Sequence, residues 1–178
     1  ANVRRTTAIA AALVLGACTF LEPAPPSGLC STGGFAIDIE FPSAGRHDCV
    51  IAPDKSVFVS VDHEPAVVEG INPSPWFAFR ITSRTARTVS ITLDYTDYKH
   101  RYRPYVSTDG ARWTALPDAA VALNERQTRA TLSFDVQAGT TWVAGQPLSS
   151  AEDNIEWTRR ALAGAGFTQI EYGRSLEG

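Results

Sequence analysis

Methionine is missing from this sequence altogether, even at position 1. That absence suggests a processed, truncated or fragmentary chain rather than a complete open reading frame, so neither end is used as a boundary. An excess of one charge is missing too: 16 Lys and Arg face 19 Asp and Glu, a net of -3. No strong field exists to hold a polyanion or steer an acidic substrate, so nucleic acid is not an expected partner. Long apolar runs are also lacking. The uncharged stretch from Ala8 to Ala17 falls far short of the roughly 20 residues that span a bilayer as a helix. Catalytic signatures are equally scarce, for no nucleophile with its base, no carboxylate pair and no open metal site can be picked out. The three histidines are His47, His63 and His100. His63 with Glu64 lacks the second His of a zincin helix, and His47 with Asp48 has no nucleophile signature beside it. Loop histidines with no catalytic motif beside them read as solvated or structural. No phosphate-cradling glycine pattern lies between a strand and a helix.

What is present suffices for one domain with a core: 178 residues, 44% hydrophobic and 10% aromatic. The chain opens on an address. Arg4 and Arg5 precede the run Ala8 to Ala17, whose length suits a signal-peptide core. Paired arginines alone do not establish twin-arginine export. Leu15, Gly16, Ala17 and Cys18 then resemble the lipobox of bacterial lipoproteins. The resemblance implies a signal peptide over residues 1–17, lipidation at Cys18, and an exported, bacterial membrane-anchored lipoprotein, periplasmic or on the cell surface. An ordinary secretory signal with a chance Cys is the alternative. With Cys18 acylated, Cys30 and Cys49 remain as an even pair in an oxidising compartment and form a candidate disulfide. Two unpaired thiols are the other reading, and two cysteines fall short of the four ligands of structural zinc.

Residues 18–34, rich in Pro, Ser and Gly, read as a tether. Period-two patterning follows. Phe35, Ile37, Ile39 and Phe41 fall on one face of FAIDIEF, with Asp38 and Glu40 on the other. Further strands are expected at Val57 to Val61, Trp76 to Ser83, Thr88 to Tyr95, Arg103 to Ser107, Arg112 to Leu116, Thr128 to Val136 and Thr141 to Ala144. Asp109 and Gly110 predict a hairpin turn, and Pro73 and Pro75 place the start of the next strand near Trp76. After Pro147 the period changes. Ser149 with Glu152 offers a capping box, and Ile155, Arg159 and Leu162 have helical spacing before Gly164 and Gly166. The fold class is therefore all-β, an antiparallel β-sandwich over residues 35–147 with one C-terminal helix within residues 148–178.

Lys99, His100, Arg101, Tyr102 and Arg103 form the most basic stretch. Alternation there points Tyr102 to one face and the two arginines to the other, as in a strand joining a sheet. Trp76, Trp113, Trp142 and Trp157 belong first to the core or to a domain interface. An exposed aromatic platform for sugar rings is the alternative.

Four stretches carry a family resemblance in order: NPSPWFAFRI from Asn72 to Ile81, HRYRPYVSTDGARW from His100 to Trp113, TLSFDV from Thr131 to Val136, and TWVAGQP from Thr141 to Pro147. Together they resemble the N-terminal accessory domain of cytosolic-carboxypeptidase-like zinc metallocarboxypeptidases. The terminal YGRSLEG is similar to the stretch at the entrance of that family's catalytic α/β domain, ahead of a zinc-binding His-x-x-Glu pair. No His here has Glu three positions on, so no catalytic residue and no metal ligand is assigned to this chain. The resemblance implies a noncatalytic module that supports folding or substrate access of a catalytic carboxypeptidase domain in cis. It implies no cofactor in this chain, with zinc in a missing catalytic domain of a parent that removes C-terminal residues from peptides. The family's cytosolic label conflicts with the lipobox, and the signal segment outweighs it. The alternative function is a lipid-anchored β-sandwich carbohydrate-binding module.

The address yields a direct test. Since one acyl chain binds a membrane only marginally, the mature protein is expected to carry more than one. Cys18→Ser should abolish fatty-acid labelling and release the chain from membranes, and labelling unchanged by that substitution would rule out lipidation at this residue.

Overall fold

A computed structural model describes residues 29–32, 34–62, 74–96 and 98–163, together with 166, 170 and 173. Cys18, His63 and Pro73 lie outside the described residues, as do the signal segment, most of the expected tether and most of the GRSLEG stretch.

Among the described residues eleven strands build two sheets packed face to face. The first sheet contains β1 (Cys30–Ser31), β2 (Phe35–Asp38), β5 (Ala78–Ser83), β7 (Tyr105–Ser107), β8 (Thr114–Ala115) and β11 (Gly139–Ala144), in the order β1-β2-β5-β11-β7-β8. The second contains β3 (Cys49–Ile51), β4 (Val57–Val61), β6 (Arg87–Tyr95), β9 (Val121–Leu123) and β10 (Arg129–Val136), in the order β3-β4-β6-β10-β9. All pairings are antiparallel except β4 with β6. Those two run parallel because the chain leaves β4, crosses the opposite sheet as β5 and returns as β6.

The alternation read from the sequence creates the core. Val57, Val59 and Val61 on β4, Val89, Ile91, Leu93 and Tyr95 on β6, and Ala130, Leu132, Phe134 and Val136 on β10 all point inward and are buried. They meet Phe35 and Ile37 of β2, Phe79 and Ile81 of β5, and Val143 of β11. Burying a side chain of this size contributes about 1.5–3 kcal/mol, so these faces dominate the stability of the domain. Over β6 and β10 the outer face of the second sheet is polar. There Thr92 meets Thr131 at 3.0 Å, Thr88 donates to Asp135 at 2.6 Å, and Arg129 pairs with Asp94 at 2.9 Å.

Both lateral edges of the sandwich are closed. At one edge, Cys30 on β1 and Cys49 on β3 sit on opposite sheets with Cα atoms 5.7 Å apart and sulfurs at bonding distance. At the other, a 3₁₀ turn, Asp118–Ala120, carries the chain from β8 in the first sheet to β9 in the second. His47 adds a polar bridge between the sheets. Its Nδ1 lies 2.8 Å from the carbonyl oxygen of Ser60 on β4, and its Nε2 accepts the backbone N–H of Ala78 on β5 at 3.2 Å. One nitrogen donates and the other accepts, which specifies the neutral Nδ1–H tautomer.

Several boundaries differ from the sequence expectation. The strand from Phe35 stops at Asp38 rather than continuing to Phe41, because Asp38 turns its carboxylate to the N–H of Glu40 and to Arg80. Cys30 and Ser31, read as tether, instead pair with Ile37 and Ala36. The basic stretch is not a strand: residues 99–104 form a loop, and pairing begins only at Tyr105. The Asp109–Gly110 hairpin does join β7 to β8, though as a wide loop. Asp109 accepts the N–H groups of Ala111 at 2.9 Å and Arg112 at 2.8 Å, and Gly110 adopts φ 72°. The backbone donors of Arg112 and then Ala111 hold the Asp109 carboxyl well below the usual carboxylate range. The helix, α1 (Ala151–Leu162), starts one residue later than predicted, capped reciprocally by Ser150 and Asp153 instead of Ser149 and Glu152.

His47 supplies the test of how the sheets are joined. His47→Ala would strip a partner from each of two backbone groups and leave a void beside Phe79, at a cost of about 3 kcal/mol. Urea unfolding with an unchanged m-value should report that loss. A cost under about 1 kcal/mol would show that the bridge adds nothing beyond packing.

Candidate functional site

Local geometry around the basic stretch is set by aromatic packing. The His100 ring stacks on Phe77 with centroids 6.4 Å apart and meets Tyr95 edge-on at 5.6 Å. The Tyr95 hydroxyl lies 2.8 Å from His100 Nδ1. Tyr102 packs edge-on against Phe77 and Trp76, and its hydroxyl bonds Ser74 at 2.7 Å. Gly145 makes room for it: a Cβ there would lie 3.1 Å from the Tyr102 ring. Burial pushes the Tyr95 phenol far above its ordinary range, so it stays protonated. Burial also lowers the His100 imidazole, which keeps the ring neutral near pH 7.

The second feature is the outer face of the first sheet. Small buried residues, Ala36, Ala78 and Ala144, line it, with Arg80 and Trp142 opposite each other across β5 and β11. Arg80 donates to the Asp38 carboxylate through Nε at 2.9 Å and Nη2 at 2.5 Å, and to the Glu40 carbonyl at 3.0 Å. Its guanidinium lies 5.0 Å from the Phe41 ring centre. A cleft runs from this patch past Leu148 to α1, reaching Asp153 and Trp157. The helix contributes no buried residue, and Ile155 and Trp157 are 68% and 66% exposed.

The sequence-predicted residues distribute as follows. Cys30 and Cys49 come together. His47 is buried between the sheets and away from solvent, while His100 lies in the aromatic cluster. None of the four tryptophans enters the buried core. Trp76 donates to the Ser43 carbonyl at 3.3 Å, Trp113 donates to the Gly110 carbonyl at 3.2 Å, Trp142 lies on the outer sheet face, and Trp157 projects from α1. Among the described residues no three His, Cys, Asp or Glu side chains gather as a metal site. The donor set there does not fit a catalytic zinc, which takes about three protein ligands. Among the same residues no helix is long and apolar enough to cross a membrane. Sequence reasoning missed the Arg80–Asp38 pair, since the two residues are joined only by the register of β2 against β5.

Comparison with solved structures finds the same sandwich in bacterial enzymes. The metallo-carboxypeptidase from Burkholderia cenocepacia aligns over 81% of this chain and 38% of its own, with TM-score 0.61 and 18% identity. The metallo-carboxypeptidase from Pseudomonas aeruginosa in complex with (2-guanidinoethylmercapto)succinic acid aligns over 80% of this chain and 37% of its own, with TM-score 0.55 and 18% identity. At such identities the likeness establishes a shared fold. The chain spans well under half the length of these structures. No protein-family model and no curated protein matches the sequence.

The His100 pair predicts a pH effect. Its folded pKa is depressed below 6.5, so the unfolded chain binds the proton first. This contribution to stability is complete above 6.5 and is lost as pH falls through that value toward the folded pKa. Unfolding free energy should decline between about pH 7 and pH 5, and His100→Gln should flatten that decline even while lowering stability overall. Identical slopes in the two proteins would refute the assignment.

Proposed function

We propose that this chain is the noncatalytic N-terminal domain of a zinc metallocarboxypeptidase. In that role it supports folding or substrate access of a catalytic domain that follows in the same polypeptide. The observation that carries the reading is the shared sandwich fold over 81% of this chain, within a metallo-carboxypeptidase of which it covers only 38%. The ordered sequence stretches from Asn72 to Pro147 support the same family. The reaction expected of the parent is removal of C-terminal residues from peptides, with zinc held outside these 178 residues. The lipobox-like segment ending at Cys18 supports an exported, membrane-anchored lipoprotein.

The contribution of this domain is structural. A sandwich closed at both edges is a stiff base, and α1 carries Ile155 and Trp157 on exposed positions beside the cleft. Exposed large apolar side chains of this kind suit contact with a following domain. The membrane and the catalytic domain in cis are the partners of this proposal.

Two measurements decide it. The DNA downstream of Gly178 should continue in frame into a His-x-x-Glu segment, and a stop codon with no such frame would overturn the proposal. The purified chain should fail to distinguish peptides with free and blocked C-termini. Cleavage that a chelator abolishes and zinc restores would place the catalytic centre in this chain instead.

A further inference from the structure

The cleft beside α1 holds aromatic and polar groups that the proposed role does not use. A hollow of about 530 Å³ runs into one of about 280 Å³, the two sharing Gly110, Leu148, Ser149 and Asp153. Together they have the size of a small-ligand site. Trp142 lines the sheet end and Trp157 the helix end. Asp153, Asn154, Trp157 and Arg160 recur at helical spacing and turn to this side of α1, whereas Ile155 lies about 200° round the helix from Trp157. A following domain can therefore rest on the Ile155 side and leave the cleft open. Among the described residues neither cleft indole N–H has a hydrogen-bond partner, unlike those of Trp76 and Trp113, which are committed to carbonyls. The Asn154 amide nitrogen is likewise unused there, its oxygen accepting from Ser149, and Asp153 commits only Oδ2, to Ser150. The Ser150 backbone N–H and then its hydroxyl hold that carboxyl below the usual carboxylate range, so it is a charged acceptor at neutral pH. The nearby cations are already balanced, for Arg160 reaches Glu156 and Arg80 is committed to Asp38.

We propose that this cleft binds a neutral oligosaccharide, with sugar rings laid on the indoles of Trp142 and Trp157 and their hydroxyls taken by Asp153, Asn154 and the indole N–H groups. A pyranose ring has an apolar face of C–H groups and a rim of hydroxyls. An indole matches both, with an apolar ring and a donor at its edge. Carboxylate and amide groups between two such rings meet hydroxyls as acceptor and donor, and the charge-assisted bonds to Asp153 are the stronger ones. Balanced charge disfavours an ionic ligand. A fatty acyl chain is disfavoured as well, since it would leave the polar groups between the indoles unpaired. The chemistry is shared by N-acetylated glycans and by plain glucans. This inference goes beyond the role proposed above and does not rest on it.

The test follows the indole N–H signals of the full chain by NMR during titration with N-acetylated chitotriose, maltotriose and cellotriose, with sorbitol and a blocked alanine tripeptide as controls. At least one trisaccharide should give saturable shifts at Trp142 and Trp157, while Trp76, bonded to the Ser43 carbonyl, stays fixed. Tighter binding of the chitotriose identifies an N-acetylated glycan, and tighter binding of either glucose trimer identifies a plain glucan. Trp157→Ala, at a 66% exposed position, should weaken binding read at Trp142 by about tenfold or more with circular dichroism unchanged. Ile155→Ala, on the other side of α1, should leave the affinity as it is. No saturation by any trisaccharide up to about 20 mM, equal shifts with sorbitol, tighter binding of the peptide, or unchanged affinity in Trp157→Ala would overturn the proposal.

Discussion

Burial of the two inner sheet faces against each other is the interaction on which everything else in this domain depends. Neither sheet is stable alone, because each presents a continuous apolar surface to the other. The consequence is a demand on connectivity. Strands that are neighbours in one sheet, such as β4 and β6, are joined through a strand of the other, and this crossing makes them the single parallel pair among antiparallel ones. The lateral edges must then be sealed, and they are sealed by different means. A sulfur bridge joins β1 to β3, and a 3₁₀ turn carries the chain across from β8 to β9.

The long strands were legible because their alternation is uninterrupted. Along β6 the sequence RTVSITLDY places every second residue inward from Val89 to Tyr95, and β10 mirrors it. Three of the short strands were not legible. Cys30–Ser31, Cys49–Ile51 and Val121–Leu123 are two or three residues long, too short for a period to be read, and they exist because a longer neighbour offers unpaired backbone groups. The helix was legible from its capping chemistry, yet its register slipped by one because Ser149 and Ser150 are equivalent in sequence. Only the fold selects Ser150, whose hydroxyl accepts the N–H of Asp153 at 3.0 Å.

The basic stretch shows why local alternation misleads near prolines and aromatics. KHRYRPYV alternates as a strand should, but Pro104 cannot donate to a ladder, and Tyr102 gains more by packing against Phe77 and Trp76. The segment therefore wraps the end of the sandwich, and His100 takes the structural of the two places the sequence allowed, half-buried against Phe77 and Tyr95. The tryptophans stay out of the core, one of the two places the sequence offered them, for a related reason. A flat core between alternating strands is filled by Val, Ile, Leu and Phe, so the larger indoles are left to the outer face, the loops and α1.

The two outer faces of the sandwich differ, and the difference bears on where partners meet it. Over β6 and β10 the outer face of the second sheet carries threonine, serine and paired charges, as in Thr92 with Thr131 and Arg129 with Asp94. Such a face is suited to water. The outer face of the first sheet carries alanines that are buried even though they point away from the core, along with Arg80, already committed to Asp38 and Glu40. Residues 41–43 and 148–150 line a cleft beside Arg80 and Trp142 on that face, and it leads to α1 and its exposed Trp157. An ion pair held by two strands in fixed register costs little further ordering when a neighbour covers it. An exposed indole on a helix beside it supplies apolar area at small entropic cost. Partner recognition at this face would then be governed by shape and apolar contact and be only weakly dependent on salt.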